Sequence, residues 1–396
     1  MTQSSRPFLV VYIVWHPDFA DGAVIAELLR QHFRRQLYEN IAGGTGLSVI
    51  YRYAVMPDST QPLPINLEDA DTAAIVVLAD NNLVGDAAWT SYVRELCNCT
   101  EAAGLGTRVF PVEIDNNVLG RLGTDEQALL WARWDGTLAE RGRRLTVSLT
   151  YAFCRLLRHY LERLTRPEEE EAALEAYLQK VQIFLSHSKH DEHGEEIARN
   201  VRSRLHTTPG MDSFFDVYDI PAGLHFQKVL FHKVRVSAMV AIHTDSYSSR
   251  EWCRKEIIEA KRWHVPLVVA NSLNDIDERG FPYMGNVPVV RLEPNGVDRI
   301  DYVIARLLDE VLKNFLWRCR IKLEQADGIP NPDVIFVPRP PELISLANLP
   351  PESDVPSPII VYPDPPLSSE EERLFAAIAP RVQLRSLTEW KAGAVR

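Results

Sequence analysis

The chain is poor in cysteine, has no long apolar run and carries no excess of basic charge, and each shortage removes a class of function. Five cysteines among 396 residues, Cys97, Cys99, Cys154, Cys253 and Cys319, form an odd set with no CxxC pair. That spacing excludes a disulfide framework, and the thiols are expected to stay reduced in a cytoplasm. No apolar stretch approaches the ~20 residues of a membrane span. The opening MTQSSRPFLVVYIVW offers neither a basic leader nor a small-residue cleavage site, so no membrane is expected as a partner. With 54 acidic against 43 basic side chains the net charge is −11, which repels a polyanion, so nucleic acid is not an expected partner either. AGGTG, Ala42 to Gly46, lacks the Gly-Lys-Ser/Thr of a phosphate loop and reads as a plain turn.

What remains is an ordinary globular composition, 46% apolar and 24% charged, on a chain longer than one core usually organises. From Val181 onward short apolar runs alternate with helical patterns, the signature of a parallel sheet with crossover helices. VQIFLSHS, DSFFDVYDI, SAMVAIHT, VPLVVANS and NVPVVRL read as five strands. EEIARNVRSRL places Ile197, Val201 and Leu205 four apart on one helical face, WCRKEIIEAKRWH is a second helix, and RIDYVIARLLDEVLKNFL closes the unit.

The N-terminal part repeats this order with different residues. FLVVYIVW, GLSVIYRYA, TAAIVVLAD and TRVFPVEI answer to strands, with helices at AVIAELLRQHFRRQL, WTSYVRELCNCTEA and RLTVSLTYAFCRLLRHYLERL. The fold class is therefore α/β: two tandem flavodoxin-like domains, each a five-stranded parallel sheet flanked by helices. The expected division is residues 1–166, an acidic linker helix at 167–177 carrying Glu168 to Glu171, and a second domain at 178–322. A Pro-rich linker at 323–357, without packing periodicity, leads to a partial α/β segment at 358–396.

In the second domain FLSHSKHD, FFDVYDIPAG, SAMVAIHTDSYSSREWCRKEI and VPLVVANS resemble, in order and spacing, the signature segments of Toll/interleukin-1 receptor (TIR) domains, especially bacterial ones. The resemblance covers roughly residues 178 to 320; the N-terminal repeat shares only the element order and reads as a degenerate TIR-like copy. It implies one of two activities. TIR domains either assemble as non-catalytic signalling scaffolds, or hydrolyse NAD at the nicotinamide-ribose bond around one glutamate in the helix after the third strand. NAD is then a substrate, and no cofactor is expected. Bacterial relatives of the enzymatic kind act as anti-phage immune effectors activated by self-association, with an upstream sensor or a nucleotide signal as a further partner.

The stretch SSREWCRKEIIEA, Ser248 to Ala260, supplies three acids for that role. Ser248 and Glu251 stand three apart in a capping-box pattern, which makes Glu251 structural. Trp252 and Glu256 are four apart on one helical face, matching the Trp-x-x-x-Glu of the NAD-cleaving members. Glu256 is thus the candidate catalytic acid. Glu259 reads as a solvated partner of Lys255. Strand ends face ligands in doubly wound sheets, so Ser186 and His187 are candidate substrate-binding residues. The resemblance adds Phe215, Asp219, Gly223 and Trp252, of which Asp219 and Gly223 lie on the movable DVYDIPAG loop, where Pro221 fixes one dihedral and Gly223 frees another. His187, His190 and His193 are read as solvated loop histidines, and no metal is expected.

Overall fold

The structure, a computed structural model, describes residues 6–36, 47–167, 169–207, 214–215, 226–277, 279–292, 299–327, 332–351, 354 and 357–393. The chain divides into two compact units, Met1–Leu178 and Gln179–Arg396.

The first unit contains β1 (Val10–Trp15), α1 (Gly22–Arg30), β2 (Ser48–Arg52), β3 (Ala73–Ala79), α2 (Asn81–Gly85), α3 (Ala87–Ala102), β4 (Thr107–Glu113), α4 (Val118–Leu122), α5 (Leu138–Thr165) and α6 (Glu170–Leu178). β1 and β3 are apolar and buried throughout, as strands covered on both faces must be. All pairings are parallel, in the order β2-β1-β3-β4. Asp80 and Asp86 accept from first-turn amides of α2 and α3, while Thr137 and Glu140 close a capping box at the start of α5. The sheet has four strands among the described residues, not the five expected. The fifth position is held by Leu129 alone, which pairs with Val112 in an isolated bridge before the chain tightens into the turn Trp131–Arg133 and buries Trp131.

The second unit starts with β5 (Ile183–Ser186), α7 (Glu192–Thr207), β6 (Phe214–Phe215), α8 (Phe226–Val236), β7 (Ala238–His243), α9 (Glu251–Arg262), β8 (Leu267–Asn271) and β9 (Val289–Arg291). Its sheet is parallel, in the order β6-β5-β7-β8-β9. Strand order reverses between β5 and β7, and that switch point is where open α/β sheets leave a crevice outside their strand ends. α8 was not anticipated from the sequence, although Leu230 and Val234, four apart, bury one of its faces in the core. The second strand, expected across DSFFDVYDI, is limited among the described residues to Phe214–Phe215.

The C-terminal region departs most from expectation. α10 (Ile300–Asp327) runs into the stretch read as a linker, and that stretch holds β10 (Val334–Phe336) and α11 (Leu343–Ala347). With β11 (Ile359–Tyr362), α12 (Ser369–Ile378), β12 (Gln383–Ser386) and α13 (Leu387–Gly393) they form a parallel three-stranded sheet, order β10-β11-β12. Periodicity alone hides a three-residue strand between prolines; packing supplies it. Trp317 and Ile321 of α10 cover one face of this sheet with Val361 and Leu387, and Leu346 and Leu349 pack on the other with Ile360 and Tyr362.

The same region is fastened to α9. Lys261 Nζ donates at 2.6 Å both to Glu342 Oε2 and to the Gly285 carbonyl, and Asn348 Nδ2 donates to the Arg262 carbonyl at 3.2 Å. The Lys261 side chain is 3% exposed, so this pair has lost nearly all its water on the lysine side. Removing one partner would strand the other charge, at a cost of about 3 kcal/mol. Glu342→Ala is therefore expected to lower the unfolding free energy of the second unit by about that amount in urea titration, with Glu342→Gln intermediate.

Candidate active site

α9 buries the stripe Cys253, Glu256, Ile257 and Ala260, spacing that places one carboxylate among core positions. Glu256 is 7% exposed. Its Oε2 accepts from Ser186 Oγ at 2.5 Å, and Ser186 Oγ lies 2.6 Å from Tyr247 Oη. Ser186 ends β5, and Tyr247 sits in the turn after β7, so the three groups meet beneath the topological switch point. Ser186 occupies the expected strand end, yet its hydroxyl turns inward to Glu256 rather than outward.

Burial dominates the electrostatics. It pushes Glu256 from the ordinary 4.5 up to about 7, against the opposing Ser186 hydrogen bond and the positive charge of Lys189. Burial, with the neighbouring Glu256 charge second, pushes the Cys253 thiol up to about 12, and burial raises the Tyr247 phenol well above its usual value. Cys253 is then a neutral thiol, which donates to the His187 carbonyl at 3.6 Å, and it is no candidate for nucleophilic attack. Burial therefore brings the Glu256 carboxyl close to its change of charge at neutral pH.

The other acids of the stretch sort differently from the sequence expectation. The capping box is not formed: Arg250 is the N-cap of α9 and makes no side-chain cap. Ser248 is fully buried and its hydroxyl donates to Asp277 Oδ2 at 3.0 Å, beside His243 Nε2, which is 2.9 Å from the same oxygen. Glu251 instead pairs with Lys255 at 2.6 Å. Glu259 is not solvated but buried, accepting from Arg235 Nε of α8 at 2.6 Å while Arg235 stacks over Trp263. Its misassignment follows from the missed helix, since only α8 supplies that partner.

Trp252 is 42% exposed on the first turn of α9, with Lys255 Nζ 4.7 Å from its ring centroid. His187 is half-buried; His193, expected to be a solvated loop residue, instead lies half-buried in the first turn of α7, with Nε2 2.8 Å from Ser272 Oγ just past β8. Phe215 pairs with Phe184 through the backbone. Asp219, Gly223 and Pro221 lie outside the described residues. Tyr247 and Asp277 escaped sequence reasoning: neither falls on a periodic face, and only the fold brings Asp277 within reach of Ser248, 29 positions away.

The parallel 2-1-3-4-5 sheet, with a carboxylate presented from the helix after the third strand, is an arrangement that a family comparison can test. The family model of the TIR domain matches residues 183–284. The match lies within the second unit, from β5 past β8, and spans Ser186, Tyr247, Trp252 and Glu256. Among solved structures, the C-terminal domain of glucosamine-fructose-6-phosphate aminotransferase from Francisella tularensis aligns over 80% of this chain and 85% of its own. Its 12% identity and TM-score of 0.18 carry no argument about fold or function. No curated protein matches the chain.

The first unit offers no comparable arrangement on the corresponding helix. In α3 Trp89 is buried and Glu95 exposed. At the end of β1, His16 packs edge-on against Trp89 and lies 3.7 Å from Asp86.

A buried carboxyl with a raised titration point costs stability once ionised. Below about pH 4.5 it is protonated both folded and unfolded, and the penalty develops as pH rises toward about 7. Glu256→Gln is expected to stabilise the second unit by about 2–3 kcal/mol at pH 8 and by nothing measurable at pH 4, read from urea unfolding at the two pH values.

Proposed function

We propose that the TIR domain of this chain cleaves NAD at the nicotinamide-ribose bond, releasing nicotinamide and, by capture of water, ADP-ribose or, by internal capture, a cyclised form of it, with Glu256 as the catalytic carboxylate. The observation that carries the reading is Glu256, held almost dry in the helix after the third strand with Ser186 Oγ on its Oε2, whereas the equally buried Glu259 of the same helix is paired with Arg235. A dry site strengthens the attraction between an anion and a developing cation.

One carboxylate is enough for this bond. When the C–N bond breaks, its electron pair returns to the pyridinium nitrogen, so nicotinamide leaves neutral and needs no proton. Ordinary glycosides need a paired acid because their leaving oxygen must be protonated. The positive charge passes to the ribose as an oxocarbenium, and water completes the reaction by adding to that carbon and losing a proton. We assign three tasks to Glu256: offsetting the oxocarbenium charge, holding a ribose hydroxyl and receiving the proton from water. Ser186 occupies Oε2; Oε1, to which none of the described residues donates, is the edge we assign to the ribose. Trp252, exposed four residues earlier, is assigned to the substrate's flank, along with His187, Phe215, Asp219 and Gly223.

In this reading the protein is a cytoplasmic immune effector of the anti-phage kind, activated by self-association of its TIR domains. TIR domains commonly self-associate, and among the described residues no helix is long and apolar enough to cross a membrane. The first unit is assigned a regulatory role, as a TIR-like copy that keeps the strand order without a buried carboxylate on α3.

Purified full-length protein at high concentration is expected to release nicotinamide from NAD, and Glu256→Gln to reduce the rate at least about 100-fold with the folded state retained. The rate should fall on acidification through about pH 7, as Glu256 takes up its proton. Self-association without nicotinamide release at any concentration would favour the scaffold reading.

A further inference from the structure

Tyr247 is fully buried, yet its hydroxyl does not end on a backbone carbonyl as a core tyrosine's usually can; it meets Ser186 Oγ, 61 positions away, at 2.6 Å. The residue is held in place by its backbone and its ring. Its own N–H donates to the Thr244 carbonyl, its carbonyl accepts from Arg250 N–H, and its ring meets His243 edge-on at 5.9 Å. A serine hydroxyl has one proton to give. When Glu256 is ionised, that proton goes to Oε2, and the oxygen lone pairs of Ser186 can only accept from Tyr247.

We propose that Tyr247 is a positioning residue for Glu256, acting through Ser186 as the outer donor of a directed chain from phenol to hydroxyl to carboxylate. The inference rests on the reading of Glu256 as the catalytic group, but its physical content concerns the carboxylate itself. Each donor in such a chain polarises the next, so the outer hydroxyl favours the ionised carboxylate without touching it. The chain also fixes the rotamer of Glu256, because Oε2 is pinned to the end of β5 and Oε1 is thereby aimed. Protonated Glu256 can carry its proton on Oε1 and leave Oε2 as a neutral, weaker acceptor, so the same chain holds the ionised carboxylate more strongly than the acid. The phenol is suited to the donor role because burial holds it neutral across the working range. The other ionisable groups bearing on Glu256 are Lys189, whose charge favours the anion, and Cys253, a neutral thiol; His243 and its partner Asp277 stand behind the Tyr247 ring.

The test is a carbon-13 NMR titration of the Glu256 carboxyl in the full chain, its resonance assigned by its loss in Glu256→Gln. Tyr247→Phe is expected to raise the midpoint by about half to one pH unit, and Ser186→Ala, which removes the direct donor, by about one to two. Because Tyr247 acts through Ser186, the double variant should titrate like Ser186→Ala alone. If Tyr247→Phe fails to fold, 3-fluorotyrosine at position 247, a stronger donor of nearly the same shape, should move the midpoint down. An unchanged midpoint in the single variant, or the same added shift in the Ser186→Ala background, overturns the proposal. The acid limb of nicotinamide release should follow the NMR midpoints. A chain that shows these shifts but releases no nicotinamide would retire the NAD-cleaving reading and leave the positioning role standing.

Discussion

The 2.5 Å hydrogen bond from Ser186 to Glu256 is the constraint around which the second unit is arranged. It joins the end of β5, one strand in from the sheet edge, to a helix 70 residues later, across the point where strand order reverses. Without β7 between them the two groups would not share a crevice. With it, a carboxylate takes a place in the apolar stripe of α9 that an aliphatic side chain would fill more cheaply. Burying an ionisable group with one direct donor works against stability, and such a cost concentrated in one side chain is the mark of a site kept for chemistry.

The rest of the unit holds α9 still around that carboxylate. Near its first turn, Asp277 gathers Ser248 and His243 and ties the loop after β8 to the turn that leads into the helix. On the far side Arg235 of α8 locks Glu259. At the last turn Lys261 is bonded to Glu342, so the C-terminal sheet, covered by the long α10, becomes part of the support of the same helix. Three ties at three heights leave little freedom for the side chain at position 256. A charged group placed to meet a transition state needs that preorganisation, since a carboxylate that must reorient at the moment of reaction loses much of its advantage.

How much of this was legible in the sequence follows from which interactions are local. The central strands read directly, because VVYIVW and AAIVVLA are continuous apolar runs that only a doubly covered strand explains. Glu256 could be singled out through its spacing from Trp252 and the ordered segments around it. What escaped was set by tertiary partners. Ser248 carried a sound capping signal, but the turn draws it inward to Asp277, and Arg250 becomes the cap. Glu259 looked like a surface acid because the helix that pairs with it was not recognised. The three-residue strand β10 has no period to detect and exists because β11 offers it a ladder and α10 a covering face. In the first unit the fifth strand shrank to Leu129, since the following tryptophans turn the chain into the core before a ladder can extend.

The central claim is that Glu256 serves the bond-breaking step and not the mere capture of substrate. Titration calorimetry of intact NAD into the full-length Glu256→Gln variant, with nicotinamide followed in the same sample, addresses it most directly. The account predicts that NAD binds and stays uncut, because the amide keeps the shape of the site and loses only the charge that stabilises the oxocarbenium. Nicotinamide appearing at the unmodified protein's rate would contradict it, as would NAD that the variant cannot bind while the unmodified protein does.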